Sequence, residues 1–556
     1  MSTLFQMIPR MFCPSDFFGS HARRVYDLNH NIARDRSRDA VDYALREWHD
    51  MCRVDRPQKD INRCFMVVVR KLNEVGILDS GAHMEDFVRY AISSVVQDFI
   101  NRRVVGDELF RYEAGKKMDS LARFFSLIIV FSNPEDEERR MHHLRRTLNL
   151  IVQLTIYDCE TIGAWFDGYP YHKLFVALME HQVTPFKDEP NHIYEIMDSF
   201  TRAMSLLQPA CVPNFALLWV DILSRPLFVE LTLVESGNPI HSRTNYARLL
   251  AQALKFLNRS ETLPEPGSTC YYDAVLRLIV QLQNYPEVLY QNSTLLCSFV
   301  PLNCVQLRNV LLCAYPRHVY PNDPFGYNIR DNYVELKNAA EISDFQISLP
   351  AELDHVMRAF LAKPSFDACL DVAPTFLLDD AHYMSAYSVP VVCSLVLRLG
   401  NIDVNSALKL GYRIERNNIE NTAVMAVFQK LCRILCNEGR YVLLTAIANQ
   451  LRYPSAHTQY FIWVLLILFV KQDIVVKEIL TRVLFERILA VRPHPWGLLV
   501  VTIELIRNPV YGFMTNDFVR AAPEIETIVQ RIRSAFAPRT PSNTASVISQ
   551  AQFAER

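Results

Sequence analysis

The sequence predicts an all-α protein, a HEAT-like α-solenoid of stacked helix pairs arranged in two helical units. Three observations carry that expectation. Apolar residues recur every third or fourth position through most of the chain, the period of one face of an α-helix. Glycine, which tight hairpins and bulges most often need, is scarce at 15 of 556 residues. More than a dozen amphipathic segments follow one another across short, proline-marked joints, with no fixed period of the tetratricopeptide or ankyrin kind, so the repeat expected is a degenerate one.

Residues 1–38 contain Pro9, Pro14, Gly19 and the alternating run from Arg34 to Arg38, and read as an irregular arm. A first helical unit is expected over 39–330. It opens with the stripe Val41, Ala44, Leu45, Trp48, Cys52, then Ile61, Cys64, Phe65, Val68, Leu72, Val75, which Gly76 ends. Asn133-Pro134-Glu135-Asp136 reads as the next helix start, with Asn133 as cap and proline in the first turn, followed by Met141, Leu144, Leu148, Ile151 and Val152. Further helical segments lie near 172–181, 192–207, 215–223, 245–257, 271–283 and 304–314. From Pro321 to about Pro350 the helical signal is weakest, which marks a junction. A second unit is expected over 331–533, with helices near 351–361, 389–399, 424–436, 441–452, 458–470, 474–489 and 496–507. Cys432 and Cys436, four apart, are expected on one helix face. The polar, proline-broken stretch 534–556 is expected to be disordered.

At 556 residues the chain exceeds the ~250–300 residues at which single cores stop growing. Its 58 basic and 60 acidic side chains leave a net charge of −2, which disfavours drawing in a polyanion through a general field. Thirteen cysteines with no CxxC pair fit reduced thiols better than a disulfide frame. The most membrane-like segment, Tyr460 to Val470, falls well short of the ~20 apolar residues of a span, so it reads as a helix buried on most sides and no membrane role is expected.

Common catalytic and phosphate-binding signatures are missing, and no catalytic residue, metal ligand or cofactor is assigned. Asp379-Asp380-Ala381-His382 resembles a ligand cluster, but neighbouring acids before a helical run more often stabilise its first turn. The cluster Arg139-Arg140-Met141-His142-His143-Leu144-Arg145-Arg146 could meet phosphate, yet Glu135 and Asp136 lie four residues before Arg139 and Arg140 and can pair with them. Cys304 with His318 could serve as nucleophile and base, but a free cysteine in a leucine-rich helix is usually core.

Three uncommon segments stand in order near the end: Gly439-Arg440-Tyr441, then Ala446-Ile447-Ala448-Asn449-Gln450-Leu451-Arg452-Tyr453-Pro454, then Arg492-Pro493-His494-Pro495-Trp496-Gly497-Leu498-Leu499. On the residues alone, Tyr441, Leu444, Ala448 and Leu451 form a buried stripe. Arg452 suits the negative end of that helix, and Pro495 opens a helix carrying Trp496, Leu499, Ile503 and Ile506 that Asn508-Pro509 stops. A rigid inter-helix corner and a partner-binding surface both fit.

These segments resemble the carboxy-terminal region of the Not-one scaffold subunit family of the CCR-NOT deadenylase complex. So do Pro301 to Asn309, Ala314-Tyr315-Pro316-Arg317 with Asp323-Pro324-Phe325, Tyr169-Pro170-Tyr171-His172, and Ala522 to Glu526. Phe513-Met514 and Arg520-Ala521-Ala522 depart from the family pattern. The resemblance implies a non-catalytic platform on which Not-two and Not-three (or Not-five) type subunits assemble, acting in messenger RNA deadenylation and translational repression in the cytoplasm, with the nucleus as a second compartment. It implies no direct nuclease docking, because the nuclease subunits of that family dock on more amino-terminal scaffold. If Met1 is the natural start, the chain is expected to be a short paralogue acting as competitor or adaptor. A helical RNA-binding platform is the alternative. The expected partner-binding residues are Asn449, Gln450, Arg452, Tyr453, His457, Arg492, His494 and Trp496.

Overall fold

A computed structural model describes residues 35–53, 57–74, 76, 81–132, 136–163, 166–260, 267–327, 329, 338–343, 347–363, 367–378, 386–520 and 523–535. Among them the fold is all-α: helices follow one another throughout, and β-pairing is limited to one isolated antiparallel bridge between Leu378 and Tyr387. Of the arm expected over 1–38, residues 1–34 lie outside the described part and the first helix begins at Asp35. Residues 536–556, Asn133 to Glu135 and Asp379 to His382 also lie outside it.

The chain forms two compact units, residues 1–288 and 289–556. The weak stretch 321–350, read from sequence as the junction, falls inside the second unit. The first unit contains α1 (Asp35–Cys52), α2 (Gln58–Glu74), α3 (Gly81–Val105), α4 (Phe110–Ser132), α5 (Glu137–Ile162), α6 (Tyr169–Val183), α7 (Pro190–Leu206), α8 (Ala216–Ser224), α9 (Pro226–Leu233), α10 (Pro239–Ser260) and α11 (Gly267–Gln281). Neighbours in sequence pack in space: α1 on α2, α3 on α4, α10 on α11, with α4 against α6 and α5 against α7 bridging successive pairs. The predicted stripe is the core. Val41, Ala44, Leu45 and Trp48 are buried with Ile61, Phe65, Val68 and Leu72. The Trp48 ring packs edge-on against Phe65 and Phe124, at 6.2 and 5.3 Å between centroids, and its indole N–H donates to the Ser120 carbonyl at 2.6 Å.

Helix α5 begins three residues later than the proline suggests. Asp136 is its cap, accepting from the Arg139 N–H at 3.0 Å. The basic cluster on α5 is paired, mostly to other helices rather than along its own: Arg139 with Asp136, Arg145 with Glu195, Arg146 with Glu85. Arg140 lies over the Phe186 ring at 5.4 Å.

The division between units falls within α12 (Pro286–Gln291). The second unit continues with α13 (Ser293–Phe299), α14 (Val305–Leu312), α15 (Ala351–Ala362), α16 (Ala373–Phe376), α17 (Val389–Leu410), α18 (Arg416–Ile419), α19 (Ala423–Ile434), α20 (Asn437–Ala448), α21 (Ala456–Lys471), α22 (Ile474–Leu489), α23 (Trp496–Arg507), α24 (Asp517–Arg520) and α25 (Pro523–Ala535). Its axis is α21, buried at every residue from Ala456 to Phe469 as the unbroken apolar run predicts. Around it pack α17, α19, α20, α22 and α23. Helix α17 is long and apolar enough to cross a membrane by length and composition, but about half of it is buried against α20, α21 and α13, the place of a core helix. Cys432 and Cys436 do not share a helix: α19 ends at Ile434, and Cys436, with extended backbone, precedes α20.

Helix ends are closed locally. Thr422, Ser455 and Asp473 accept from backbone N–H groups of the first turns they precede. Gly411, at φ 71°, ends α17 in the left-handed conformation, and the Tyr412 N–H turns back to the Ala407 carbonyl at 2.9 Å. Gly400, in the middle of α17, is needed for a different reason: a β-carbon there would land inside the Phe461 ring of α21. Gly400→Ala should therefore force the two helices apart and cost about 1–3 kcal/mol, read as a lowered thermal midpoint. An unchanged midpoint would show that the Phe461 ring can turn aside.

Candidate docking surface

The residues singled out between Asn449 and Trp496 sit where three chain segments meet: the joint after α20, the joint after α22, and an irregular segment between α14 and α15. Helix α20 ends at Ala448, which leaves its last carbonyls without intrahelical donors. The N–H groups of Asn449, Gln450 and Leu451 turn back to the Thr445, Ile447 and Ala448 carbonyls, and the side chain that adds to them is not Arg452, as the sequence suggests, but Arg487 of α22. Its guanidinium donates to the carbonyls of Ala448 (3.1 Å) and Thr445 (3.2 Å) and to Asn449 Oδ1 (2.6 Å). Arg487 is 3% exposed, and burial lowers its pKa to about 9, which still leaves it charged at neutral pH. The Arg487 carbonyl in turn accepts from the Asn309 side-chain amide at 2.8 Å.

Arg452 points the other way. It donates to the Tyr290 carbonyl at 2.9 Å and to Ser293 Oγ at 2.6 Å, beside Gln450, whose amide reaches Thr294 Oγ1 at 3.3 Å. A third buried guanidinium, Arg308, holds the Val300 and Pro301 carbonyls at 2.9 and 3.0 Å. All three cations are bound by oxygens of neutral groups, chiefly carbonyls that end helical turns, where the backbone dipoles supply negative potential.

The same corner holds the irregular segment. Trp496 Nε1 donates to the Asn322 carbonyl at 2.9 Å, and its ring meets Tyr327 edge-on with centroids 4.8 Å apart. Gln459 donates to the Ile329 carbonyl and accepts from the Tyr327 hydroxyl. The Asn338 carbonyl accepts from the Ala456 N–H (2.9 Å), and the N–H groups of Ala340 and Glu341 donate to His457 Nδ1 (3.0 Å) and Tyr453 Oη (3.1 Å). Because His457 Nδ1 accepts, its proton is on Nε2, which donates to Asn401 Oδ1 at 2.8 Å. Burial, then the nearby Arg452, hold the His457 pKa down, from 6.5 to about 3.

Of the predicted residues, Asn449, Gln450, Arg452, Tyr453 and His457 are thus turned inward, each at most 5% exposed. The chain's own residues 338, 340 and 341 bond to Ala456, His457 and Tyr453, while Gln450 and Arg452 are met by Tyr290, Ser293 and Thr294 and Asn449 by Arg487. His494 is half-buried and its Nε2 lies 3.0 and 3.1 Å from the Ile488 and Ala490 carbonyls, closing the end of α22. Gly497 allows the joints to touch: its N–H donates to the Arg452 carbonyl, and a β-carbon would stand 3.0 Å from the Leu451 backbone. Arg492 is exposed, and Trp496 and Tyr453 reach the surface only as walls of a groove of about 350 Å³ shared with Tyr320, Tyr327, Pro454 and Glu341. Tyr320 stands on its rim, 86% exposed. Sequence reasoning missed Arg487, which follows Glu486 in α22 and carries no local mark of burial, and Tyr320. Among the described residues no three His, Cys, Asp or Glu side chains converge as a metal site would require.

Residues 178–533 match the family model described as CCR4-Not complex component, Not1. The chain belongs to the Not1 family. It is 31% identical over 547 residues to the CCR4-NOT transcription complex subunit let-711 of Caenorhabditis elegans, a match spanning 93% of this chain and 20% of that protein. It is 29% identical over 497 residues to the general negative regulator of transcription subunit 1 of Schizosaccharomyces pombe, across 86% of this chain and 23% of that one. The chain therefore corresponds to about a fifth of the length of these Not1 relatives. Two solved Not1 structures share its fold. The NOT1 superfamily homology domain from Chaetomium thermophilum has a TM-score of 0.77 at 23% identity, covering 90% of this chain and 99% of that one. A Not1 C-terminal domain in complex with Not4 has a TM-score of 0.73 at 21% identity, covering 89% and 99%.

Two outcomes test the corner. Arg487→Ala removes the second donor from the Thr445 and Ala448 carbonyls and the donor to Asn449 Oδ1 and leaves a buried side-chain volume empty, and should cost about 2–5 kcal/mol, seen as a lower thermal midpoint. The neutral His457 gives a pH signature: its folded pKa lies below the 6.5 of the unfolded chain, so the unfolded state binds the extra proton between pH 6.5 and about 3. Stability is then full above 6.5 and falls by about 1.4 kcal/mol per pH unit as pH drops through that window. His457→Gln should flatten this slope in thermal midpoints taken from pH 7 to 4; an unchanged slope would place the proton uptake elsewhere.

Proposed function

We propose that this chain is a non-catalytic docking platform of the CCR4-NOT assembly, which receives Not-two and Not-three (or Not-five) type subunits and works in cytoplasmic messenger RNA deadenylation and translational repression. The observation that carries this reading is the Not1 family match over residues 178–533, which takes in the whole second unit as far as residue 533. The Not1 C-terminal domain that shares this fold is described in complex with Not4, which supports subunit docking as the use of the surface. A helical body suits that task, because its grooves offer apolar pockets to extended partner segments over a long contact.

Since Asn449, Gln450, Arg452 and His457 hold the interior together, docking in this reading runs over the groove beside them, with Tyr320, Arg492 and the exposed edge of Trp496 as contacts. The RNA-binding alternative gains no specific support: the arginines at 139, 145 and 146 are paired with carboxylates.

Tyr320→Ala combined with Arg492→Glu should lower recovery of the Not-two/Not-three pair by at least about fivefold in pull-downs with the full chain, with the thermal midpoint unchanged. Undiminished recovery would move docking away from this groove. Failure of the unsubstituted chain to recover the pair would overturn the reading itself.

A further inference from the structure

The groove beside Trp496 is lined by four aromatic rings, those of Tyr320, Tyr327, Tyr453 and Trp496, and by one carboxylate, Glu341, with no lysine or arginine among its described lining residues. The Tyr327 and Trp496 rings stand at 76° to each other with centroids 4.8 Å apart, as two adjoining walls. Their polar tips are engaged elsewhere. Trp496 Nε1 donates to the Asn322 carbonyl, the Tyr327 hydroxyl donates to Gln459, and the Tyr453 hydroxyl accepts from the Glu341 N–H. What these three residues offer a ligand is therefore chiefly ring surface, and an aromatic face carries negative potential. Tyr320, 86% exposed, adds a ring at the rim.

The carboxylate is held from one side and open on the other. Glu341 Oε2 accepts from the Tyr290 hydroxyl at 2.9 Å and from the Gln291 amide at 3.4 Å. Oε1 accepts no hydrogen bond among the described residues; it faces the exposed His318, whose Nε2 is 3.9 Å away, and the Glu341 side chain is 43% exposed. A negative group beside aromatic faces selects a cation, and the details select which. A guanidinium takes two parallel acceptors, whereas Glu341 has one oxygen to spare. An unmodified ammonium is strongly hydrated and carries three donors that ring carbon cannot answer. Methylation removes those donors and keeps the charge, which leaves a cation that sheds water readily and packs on rings. The groove, about 350 Å³, is larger than a tetramethylammonium ion fills, and Val319 and Pro454 give it an apolar margin where an aliphatic stem can lie.

We infer that this groove recognises a trimethylated lysine side chain of a protein, with the quaternary ammonium against Tyr320, Tyr327 and Trp496, Glu341 as its counter-ion, and the methylene stem on Val319 and Pro454. The inference rests on the docking reading above and names the chemical group read at that groove. A nucleic acid is disfavoured, because its phosphates would meet a carboxylate and find no lysine or arginine among the described lining residues. The Tyr290 hydroxyl, by holding Oε2, acts as a positioning group for the open oxygen.

The test is calorimetric titration of the purified full chain with short capped peptides that carry, between glycines, trimethyllysine, lysine, arginine or the uncharged neohexyl isostere of trimethyllysine, with choline as a free quaternary ion. Expected is binding of the trimethyllysine peptide at least about tenfold tighter than each of the other probes. Tyr320→Ala should weaken it about fivefold and Tyr320→Phe, which keeps the ring, should restore it. Glu341→Gln keeps an acceptor for Tyr290 and Gln291 but removes the charge, and should also weaken binding about fivefold with the thermal midpoint unchanged. No binding, equal binding of the uncharged isostere, lysine or arginine peptide, choline bound as tightly as the trimethyllysine peptide, or affinities unmoved by Tyr320→Ala and Glu341→Gln would each overturn the inference. Recovery of the Not-two/Not-three pair by the unsubstituted chain in those cases would leave the platform reading standing, because only the assignment of the cation would have failed.

Discussion

Described residues between α14 and α15 are held against the helices because a backbone polar group, once covered, must find a partner. Helix ladders cannot supply those partners, so side chains do. Trp496, Gln459, His457 and Tyr453 meet the carbonyl of residue 322, the carbonyl of 329 and the N–H groups of 340 and 341 in turn. The identities of these residues follow from that demand. A ring with one accepting and one donating nitrogen is needed at 457, a donor without acceptor at 496, and a hydroxyl at 453. The segments in which the sequence resembles the family thus form, at the atomic level, seams between irregular chain and a helical body.

That origin explains what could be read in advance. Helices α19, α21, α22 and α23 were legible because their starts carry a capping side chain or a proline, α20 by its apolar stripe alone, and α21 declared its burial by having no polar face from Phe461 onward. The corner residues were legible as unusual but not as buried. Asn449, Gln450 and Arg452 follow a helix end, where polar residues are ordinarily solvated, and partners of the latter two come from far away in sequence; the Arg452–Tyr290 hydrogen bond spans 162 positions. Nothing local distinguishes Arg452 from Arg487 as the residue that closes α20, because the choice depends on which helix end each guanidinium reaches. Likewise Asn133 and Asp136 are both acceptable caps for α5, and the structure uses the second.

The division of labour between inside and outside bears on how the proposed platform would work. The interior side chains fix the register of irregular chain against helices, and Gly400 and Gly497 bring backbones and rings so close that a methyl group would not fit. The exterior is left to vary. Two grooves, one walled by Tyr320 and Trp496 and one along α17, are shaped by that fixed interior. A change of partner preference can then arise by surface substitution without re-solving the fold.

Three guanidiniums in the second unit are bound by carbonyl and hydroxyl oxygens and shielded from water rather than matched to carboxylates. Mobile ions cannot reach such contacts, whereas attraction across exposed charges fades as the Debye length shrinks, to roughly 3 Å at 1 M ionic strength. The internal architecture of this unit is accordingly expected to persist in concentrated electrolyte, where contacts between exposed charges are lost.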